Sequence, residues 1–265
     1  MTASNTDHLL ASIRQEIDEI DDQLVQLILR RLATSTRVRD IKGGAGGITM
    51  TPYRPVREAQ IMRRLAAQAG FGTASAALTR LWRVILSASI NAQATVTLHV
   101  DNATGRDIEC RLLLAEYFCG MPVAIHPNIS SVVGAIQTNP VDLAILDVES
   151  SWVEAVGVVN GSKVKVLAGL PSSTGVGQIP RLLVAGHCAV QSSGDDISVL
   201  VGHGHMPGDC PWTKAWETQS SGWTISGVNG FIEEDDPSFV SFAATYSNLQ
   251  LRIAGSIPHF AKAEL

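Results

Sequence analysis

Residues 9–42 read LLASIRQEIDEIDDQLVQLILRRLATSTRVRDIK and contain neither glycine nor proline. Apolar residues recur in them at steps of three and four, as they do along one face of an α-helix. The run GGAGG at 43–47 follows at once and predicts an abrupt helix end. The pattern therefore predicts a helix of about 34 residues and about 51 Å. Such a length is unusual for a compact monomer and indicates a helical bundle, which two chains could form together.

The rest of the first 95 residues predicts two more helices and no strands. One follows Pro55 and ends near Ala69, before Gly70-Phe71-Gly72, and the other spans about 76–94. From residue 96 onward, strand-like and helix-like segments alternate, with a further short helix expected around Trp212–Glu217. We expect an all-α three-helix domain at 1–95, followed by an α/β (α+β) domain at 96–265.

Composition narrows the classes of protein. A net charge of -5 argues against nucleic acid as a partner. The polar start MTASNTDHLL is not a signal peptide, and no apolar run is long enough to cross a bilayer. The chain is therefore expected to be cytoplasmic, without a membrane partner.

Polar residues interrupt the predicted helices at spacings that suit a small anionic substrate. Arg14 and Arg31 are seventeen positions apart, which is about 25 Å along one helix, more than a small metabolite spans. If both serve one site, Arg14 must reach the site of a second subunit. Arg31 and Lys42 return to nearly the same helix face, and Ser89 and Gln93 share a face at i and i+4. Any one of these side chains alone is more typical of a solvated helix face.

Taken together, the helical segments resemble the AroQ-class chorismate mutases over about residues 8–95. The resemblance rests on LLASIRQEIDEIDDQLVQLILRR, VRDIK, RPVREAQIMRRL and LTRLWRVILSASINAQ. The family's positions fall on Arg14, Arg31, Val38, Lys42, Arg57, Glu58, Ser89 and Gln93. Arg54 stands where the family often has Asp, and the glycine-rich loop is about three residues longer.

The resemblance implies an isomerase that converts chorismate to prephenate by a [3,3] rearrangement, in the shikimate pathway toward Phe and Tyr. It implies an intertwined homodimer in which Arg14 is donated in trans, with Arg14, Arg31, Val38, Arg57 and Ser89 binding substrate. Lys42 and Gln93 would face the ether oxygen, and Glu58 would accept a hydrogen bond from the ring hydroxyl; with Arg31 these are the catalytic residues. Such chemistry needs no cofactor or metal. An isochorismate-pyruvate lyase, and a non-catalytic chorismate-binding sensor or interaction protein, are the alternatives.

The segment 96–265 resembles, more weakly, a shortened prephenate dehydratase followed by an ACT-like fold. DVESS at 147–151 and PRLLV at 180–184 are similar to two dehydratase motifs, but Ser150 and Pro180 replace the expected Asn and Thr. We therefore expect a degenerate, non-catalytic tail that regulates the enzyme through an amino-acid effector or docks a partner enzyme. The nearby His203, His205 and Cys210 are better explained by a glycine-rich turn than by a metal site.

Overall fold

The structure is a computed structural model that describes residues 3–43, 50–70, 73–172 and 178–260. The helices are α1 (Ala3–Gly43), α2 (Pro55–Ala69), α3 (Thr73–Asn91), α4 (Asn102–Arg106), α5 (Ile108–Tyr117), α6 (Ile129–Thr138), α7 (Trp152–Val156) and α8 (Pro237–Thr245). The strands are β1 (Leu98–Asp101), β2 (Val123–His126), β3 (Leu143–Asp147), β4 (Lys165–Leu170), β5 (Leu182–Gly186), β6 (Asp196–Gly202), β7 (Lys214–Ser220), β8 (Trp223–Asn229) and β9 (Arg252–Pro258).

The expected fold class, three helices followed by an α/β region, is confirmed. α2 begins at Pro55, whose missing N–H costs nothing in the first turn, and ends before Gly70, which has φ +66°. α3 ends at Asn91, three residues earlier than predicted. The loop GGAGG lies almost wholly outside the described residues.

All nine strands of the described residues form one sheet in the order β2-β1-β3-β5-β4-β9-β6-β8-β7. β1 pairs in parallel with β2 and β3, whereas β5 runs antiparallel to both β3 and β4. In the second half, β9-β6-β8-β7 is antiparallel throughout. The two halves join where β4 and β9 pair in parallel at Val166 and Gly255.

The helix predicted around Trp212–Glu217 is wrong, because most of that segment belongs to β7. Tertiary packing explains the difference. The indole of Trp216 is buried over Gly227 of β8, where a Cβ atom would come within 2.2 Å of it. β4, α7 and α8 are further elements that the sequence patterns did not predict.

The helical region shares a hydrophobic core with the sheet. Tyr53 and Ile90 are buried in the same cluster as Leu98 and Phe118. The rings of Tyr53 and Phe118 meet edge to face with centroids 5.6 Å apart. The other face of the sheet buries a second cluster around Trp152. The α2–α3 pair is thus packed against the sheet and not held by a linker alone.

The N-terminal two thirds of α1 contrast with this packing. Its apolar residues remain about half exposed, at 46–60%: Leu10, Ile13, Ile17, Ile20, Leu24 and Leu27. Within the described ranges, no helix has both the length and the apolar character that a membrane span requires.

Two glycines provide a matched test of the junction between the sheet halves. Gly255 has φ +154°, and a Cβ there would lie 2.0 Å from the Val166 carbonyl oxygen, so Gly255→Ala should cost more than about 3 kcal/mol or prevent folding. Gly134 lies in α6 with nothing within 4 Å of an added Cβ, so Gly134→Ala should stabilise by about 0.5–1 kcal/mol. Urea unfolding of both variants measures the change in the free energy of unfolding. A Gly255→Ala protein as stable as the wild type would contradict the close pairing of β4 and β9.

Candidate active site

The site is built around a contact between α1 and α3. Arg31 is half-buried on α1 and donates from Nη1 to the Ser89 hydroxyl and, at 3.3 Å, to the Ile85 carbonyl. Ser89 is buried and donates in turn to the same carbonyl at 2.7 Å. These bonds tie the guanidinium to the third helix and fix its position. They leave the remaining guanidinium N–H groups available to an anion.

Glu58 lies in the first turn of α2, close enough to Arg31 for their charges to interact. Burial raises the pKa of Glu58 to about 8, and the positive charge of Arg31 opposes the rise. Burial likewise lowers the pKa of Arg31, an effect that Glu58 opposes and Arg57 reinforces. One residue from α1 and two from α2 therefore share a common electrostatic environment. The carboxyl group of Glu58 holds its proton at neutral pH.

The other residues of the expected site are placed less closely. Arg57 is exposed and lines a cavity of about 360 Å³ with Arg54 and Gln60. Gln93 lies just beyond the end of α3 and donates to the Ser89 carbonyl at 3.0 Å, which brings it to the anchor of Arg31. Val38 is half-buried on α1, two turns beyond Arg31.

Two of the expected site residues, Arg14 and Lys42, are not seen at the site in the described part of the single chain. Arg14 is exposed on α1, and its seventeen-residue separation from Arg31 is about 25 Å along the helix. Lys42 belongs to the last turn of α1, but its side chain lies outside the described residues. Their roles stay predictions.

Arg54 is bound to the loop that precedes α2. Its Nη1 donates to the carbonyls of Thr51 and Tyr53, at 2.5 and 2.9 Å, and contacts the Cys188 sulfur at 3.3 Å. The Arg54 carbonyl accepts from the Glu58 N–H at 3.0 Å and so closes the first turn of α2. The side chain therefore braces the loop before α2, and the backbone holds the turn that carries Glu58.

The two segments likened to dehydratase motifs meet in the sheet. The Val148 N–H donates to the Arg181 carbonyl at 3.2 Å, and Arg181 forms an ion pair with Asp147 at 2.9 Å. A second carboxylate, Asp107, lies 3.6 Å from the same guanidinium. Burial raises the pKa of the adjacent Cys110 thiol to about 11, which keeps it protonated at neutral pH. Two carboxylates already satisfy this arginine.

A chain of ionisable groups near the edge of the sheet is not signalled by any motif in the sequence. His99 is buried and contacts His126 through Nδ1 at 2.8 Å and Asp142 through Nε2 at 3.0 Å. Asp142 also accepts from the Thr97 N–H at 2.8 Å and the Asn139 amide at 2.9 Å. The participants are dispersed along the sequence, and only the strand order of the sheet brings them together.

The His203, His205 and Cys210 side chains have separate partners. His203 stacks on Trp223 with ring centroids 3.9 Å apart, and His205 contacts Glu217 at 3.2 Å. Cys210 packs against the core beneath α8. Among the described residues, no group of three His, Cys, Asp or Glu side chains is close enough to hold a metal ion.

Comparison with known proteins supports the family resemblance described for the helical region. Residues 13–94 match the family model described as chorismate mutase type II, and this range holds all eight expected site residues. No curated protein matches the chain significantly.

Two solved structures are distantly similar to this chain. One is described as "GqqA- a novel type of quorum quenching acylases" (12% identity, TM-score 0.37, 61% of this chain and 94% of that one). The other is a prephenate dehydratase from Streptococcus mutans (18% identity, TM-score 0.35, 63% and 100%). Likeness at this level establishes neither fold nor function.

The raised pKa of Glu58 predicts a pH dependence of stability. The unfolded chain loses this proton near pH 4.5 and the folded chain only near 8. Between these values the unfolded state binds fewer protons, so this carboxyl makes the free energy of unfolding fall with rising pH, by up to about 1.4 kcal/mol per unit. The contribution is fully present below about 4.5, is lost as the pH rises, and is flat above about 8.

Glu58→Gln should remove that slope, and exposed Glu109→Gln should retain it. Urea unfolding at fixed protein concentration between about pH 5 and about pH 8 measures the slope. Parallel profiles for the wild type and Glu58→Gln would show that Glu58 titrates normally.

Proposed function

We propose that this chain is a chorismate mutase, an isomerase that converts chorismate to prephenate. The match of residues 13–94 to the type II family carries the proposal. The contact of Arg31 with Ser89, beside Glu58, supports it, because these three expected site residues come from three different helices. A site assembled between helices can surround a small substrate that no single helix could enclose.

The residue types suit a rearrangement within one molecule. Such a reaction needs no nucleophile; the enzyme holds the compact conformer and stabilises charge that develops as the C–O bond breaks. Arg31, already fixed by Ser89, binds a substrate carboxylate, and Arg57 adds positive charge at the mouth. Lys42 and Gln93 face the ether oxygen. Glu58 contacts the ring hydroxyl.

The exposed face of α1 supports a homodimer. The spacing of its apolar residues from Leu10 to Leu27 alternates between three and four, the pattern of a coiled-coil seam. Arg31 continues the same series four residues after Leu27. A second α1 packed along this face would cover the apolar residues and bring its own Arg14 toward the site at Arg31. In the single chain, these apolar residues stay exposed and Arg14 lies about 25 Å along the helix from Arg31.

The tail at 96–265 is proposed to be a non-catalytic regulatory or docking region. Its second half, β9-β6-β8-β7 with α8, is arranged like a split βαβ sheet in which residues 203–213 hold no helix, in keeping with a degenerate ACT-like fold. In its first half, Arg181 is neutralised by Asp147 and Asp107 and has little charge to offer an anionic substrate. These features favour a non-catalytic tail over a second enzyme.

The decisive test is the loss of chorismate absorbance with the purified full chain. Prephenate is identified by its conversion to phenylpyruvate on acid treatment. If the tail has no dehydratase activity, no phenylpyruvate is present before the acid is added. Lys42→Ala should lower kcat by at least about a hundredfold and change KM little, because a cation at the ether oxygen acts mainly in the transition state.

Isochorismate is assayed in parallel. Pyruvate release from isochorismate with chorismate untouched would replace the mutase by the lyase. Binding of chorismate without turnover of either compound would replace it by a sensor.

The donation of Arg14 between subunits predicts complementation. Arg14→Ala and Arg31→Ala homodimers should each be inactive. Mixing equal amounts after reversible unfolding gives about half heterodimers, each with one intact site, and so recovers about a quarter of wild-type activity. Mixing Arg31→Ala with Lys42→Ala is the control and should recover none, because both residues come from the same chain at each site. If Arg14 acted within its own chain, the first mixture would also stay inactive.

A further inference from the structure

The cavity of about 360 Å³ that carries Arg57 is formed by the helical region and the tail together. The helical region contributes the start of α2 and the residue before it, from Arg54 to Gln60. The tail contributes the segment 188–192, with Leu167 of β4 and Ser256 of β9. The volume lies within the range of small-molecule pockets. Neither region alone would enclose this space.

Arg57 connects the cavity to the site built around Arg31. It lines the cavity, and its positive charge is one of the causes that lower the pKa of Arg31. The two guanidinium groups are therefore close enough for their charges to interact. Glu58, the next residue of α2, interacts with Arg31 in the same way. The cavity thus adjoins the proposed substrate site.

The charged side chains that line the cavity are both cations. They are Arg54 and Arg57, and no Asp or Glu is among the lining residues. In the described part of the chain, neither arginine forms an ion pair. Arg54 makes its bonds through Nη1, which leaves its Nε and Nη2 without an acceptor among the described residues. Positive charge that no carboxylate compensates favours an anion in this space.

The tail adds a neutral donor to the same wall. Gln191 is exposed, and its amide group forms no hydrogen bond with any described residue. The neighbouring Ser192 differs, because its hydroxyl already donates to Asp196 at 3.0 Å. An uncommitted amide N–H can donate to a carboxylate oxygen. Gln191 is therefore the side chain through which the tail can contact an anion in the cavity.

We propose that this cavity is part of the chorismate site and that the tail forms one wall of it. Chorismate has two carboxylates. Arg31 binds one of them, and the other enters the cavity, where it binds between Arg54 and Arg57 and accepts a hydrogen bond from Gln191. The tail thus contributes to substrate affinity, while the catalytic groups stay on the helices. This inference rests on the proposed mutase function and deepens it.

A charge series at Gln191 tests the inference in the full chain. Gln191→Glu should raise the KM for chorismate at least about fivefold by repulsion, and Gln191→Lys should lower it about twofold or more. In both variants kcat should change little, because a bound carboxylate is held equally in the ground state and the transition state. The same two changes at Gln137, exposed on α6 outside the cavity, should leave KM unchanged. In about 1 M salt the two Gln191 variants should converge, which a structural effect would not produce.

Arg54 is tested by a conservative pair. Arg54→Gln removes the charge and should raise KM about tenfold, whereas Arg54→Lys keeps the charge and should recover most of the affinity. Both variants alter the bonds that Arg54 makes to the loop before α2, so their melting temperatures are compared as well. An equal rise of KM in the two variants would show that Arg54 acts by bracing the loop and not by its charge.

The outcomes separate this inference from the proposed function. If the wild type turns over chorismate and KM is the same in Gln191→Glu and Gln191→Lys, the tail is not part of the substrate site, and the mutase stands. If the wild type binds chorismate without turnover, calorimetry gives Kd for the same series, and opposite shifts of Kd would support the tail wall. A wild type that neither binds nor turns over chorismate would overturn the inference together with the proposed function.

Discussion

A helix of 41 residues cannot bury one whole face against helices of 15 and 19 residues. At 1.5 Å per residue, α1 is about 60 Å long, about twice the length of α3. Within one chain, its C-terminal third packs near α3, while the apolar series from Leu10 to Leu27 remains exposed. Exposed contiguous apolar surface is unfavourable in water. This excess length underlies the proposals for subunit pairing, shared sites and the role of Arg14.

The site also depends on how one cation is held. Arg31 loses little conformational entropy when substrate binds, because Ser89 and Ile85 already fix its guanidinium. The same crowding keeps Glu58 protonated near neutral pH. A neutral carboxyl beside Arg31 leaves the positive charge of that arginine uncompensated. The arrangement thus favours an anion over competing water, whereas the tail's Arg181 is already neutralised by carboxylates.

Local signals in the sequence explain which parts of this fold were predictable. Pro55 and Gly70 bound α2 because each restricts or permits a backbone geometry by itself. A short helix is predicted around Trp212–Glu217, whereas the structure has β7 there, with Trp216 packed over Gly227 of the neighbouring strand β8. Arg31 and Ser89 were identified through family resemblance, since 58 positions separate them. The raised pKa of Glu58 needs the packed surroundings, which no spacing reveals.

The tail has a structural role in the site whatever else it does. Cys188 contacts the Arg54 guanidinium, and the Ser193 carbonyl accepts from Arg63 of α2 at 2.6 Å. Residues 188–190 line both a cavity of about 660 Å³ beside the junction of β4 and β9 and the cavity of about 360 Å³ that carries Arg57.

Removal of residues 96–265 would take these contacts away. It would also expose Tyr53, which is buried against Phe118. The turn that carries Glu58 would lose its support from the sheet, because Arg54, whose carbonyl closes that turn, would lose Cys188 as a partner. If the shortened helical chain had low activity, the loss of these packing contacts would explain it without any loss of regulation. Point variants at these contacts in the full chain are for that reason the cleaner probe of how the two regions communicate.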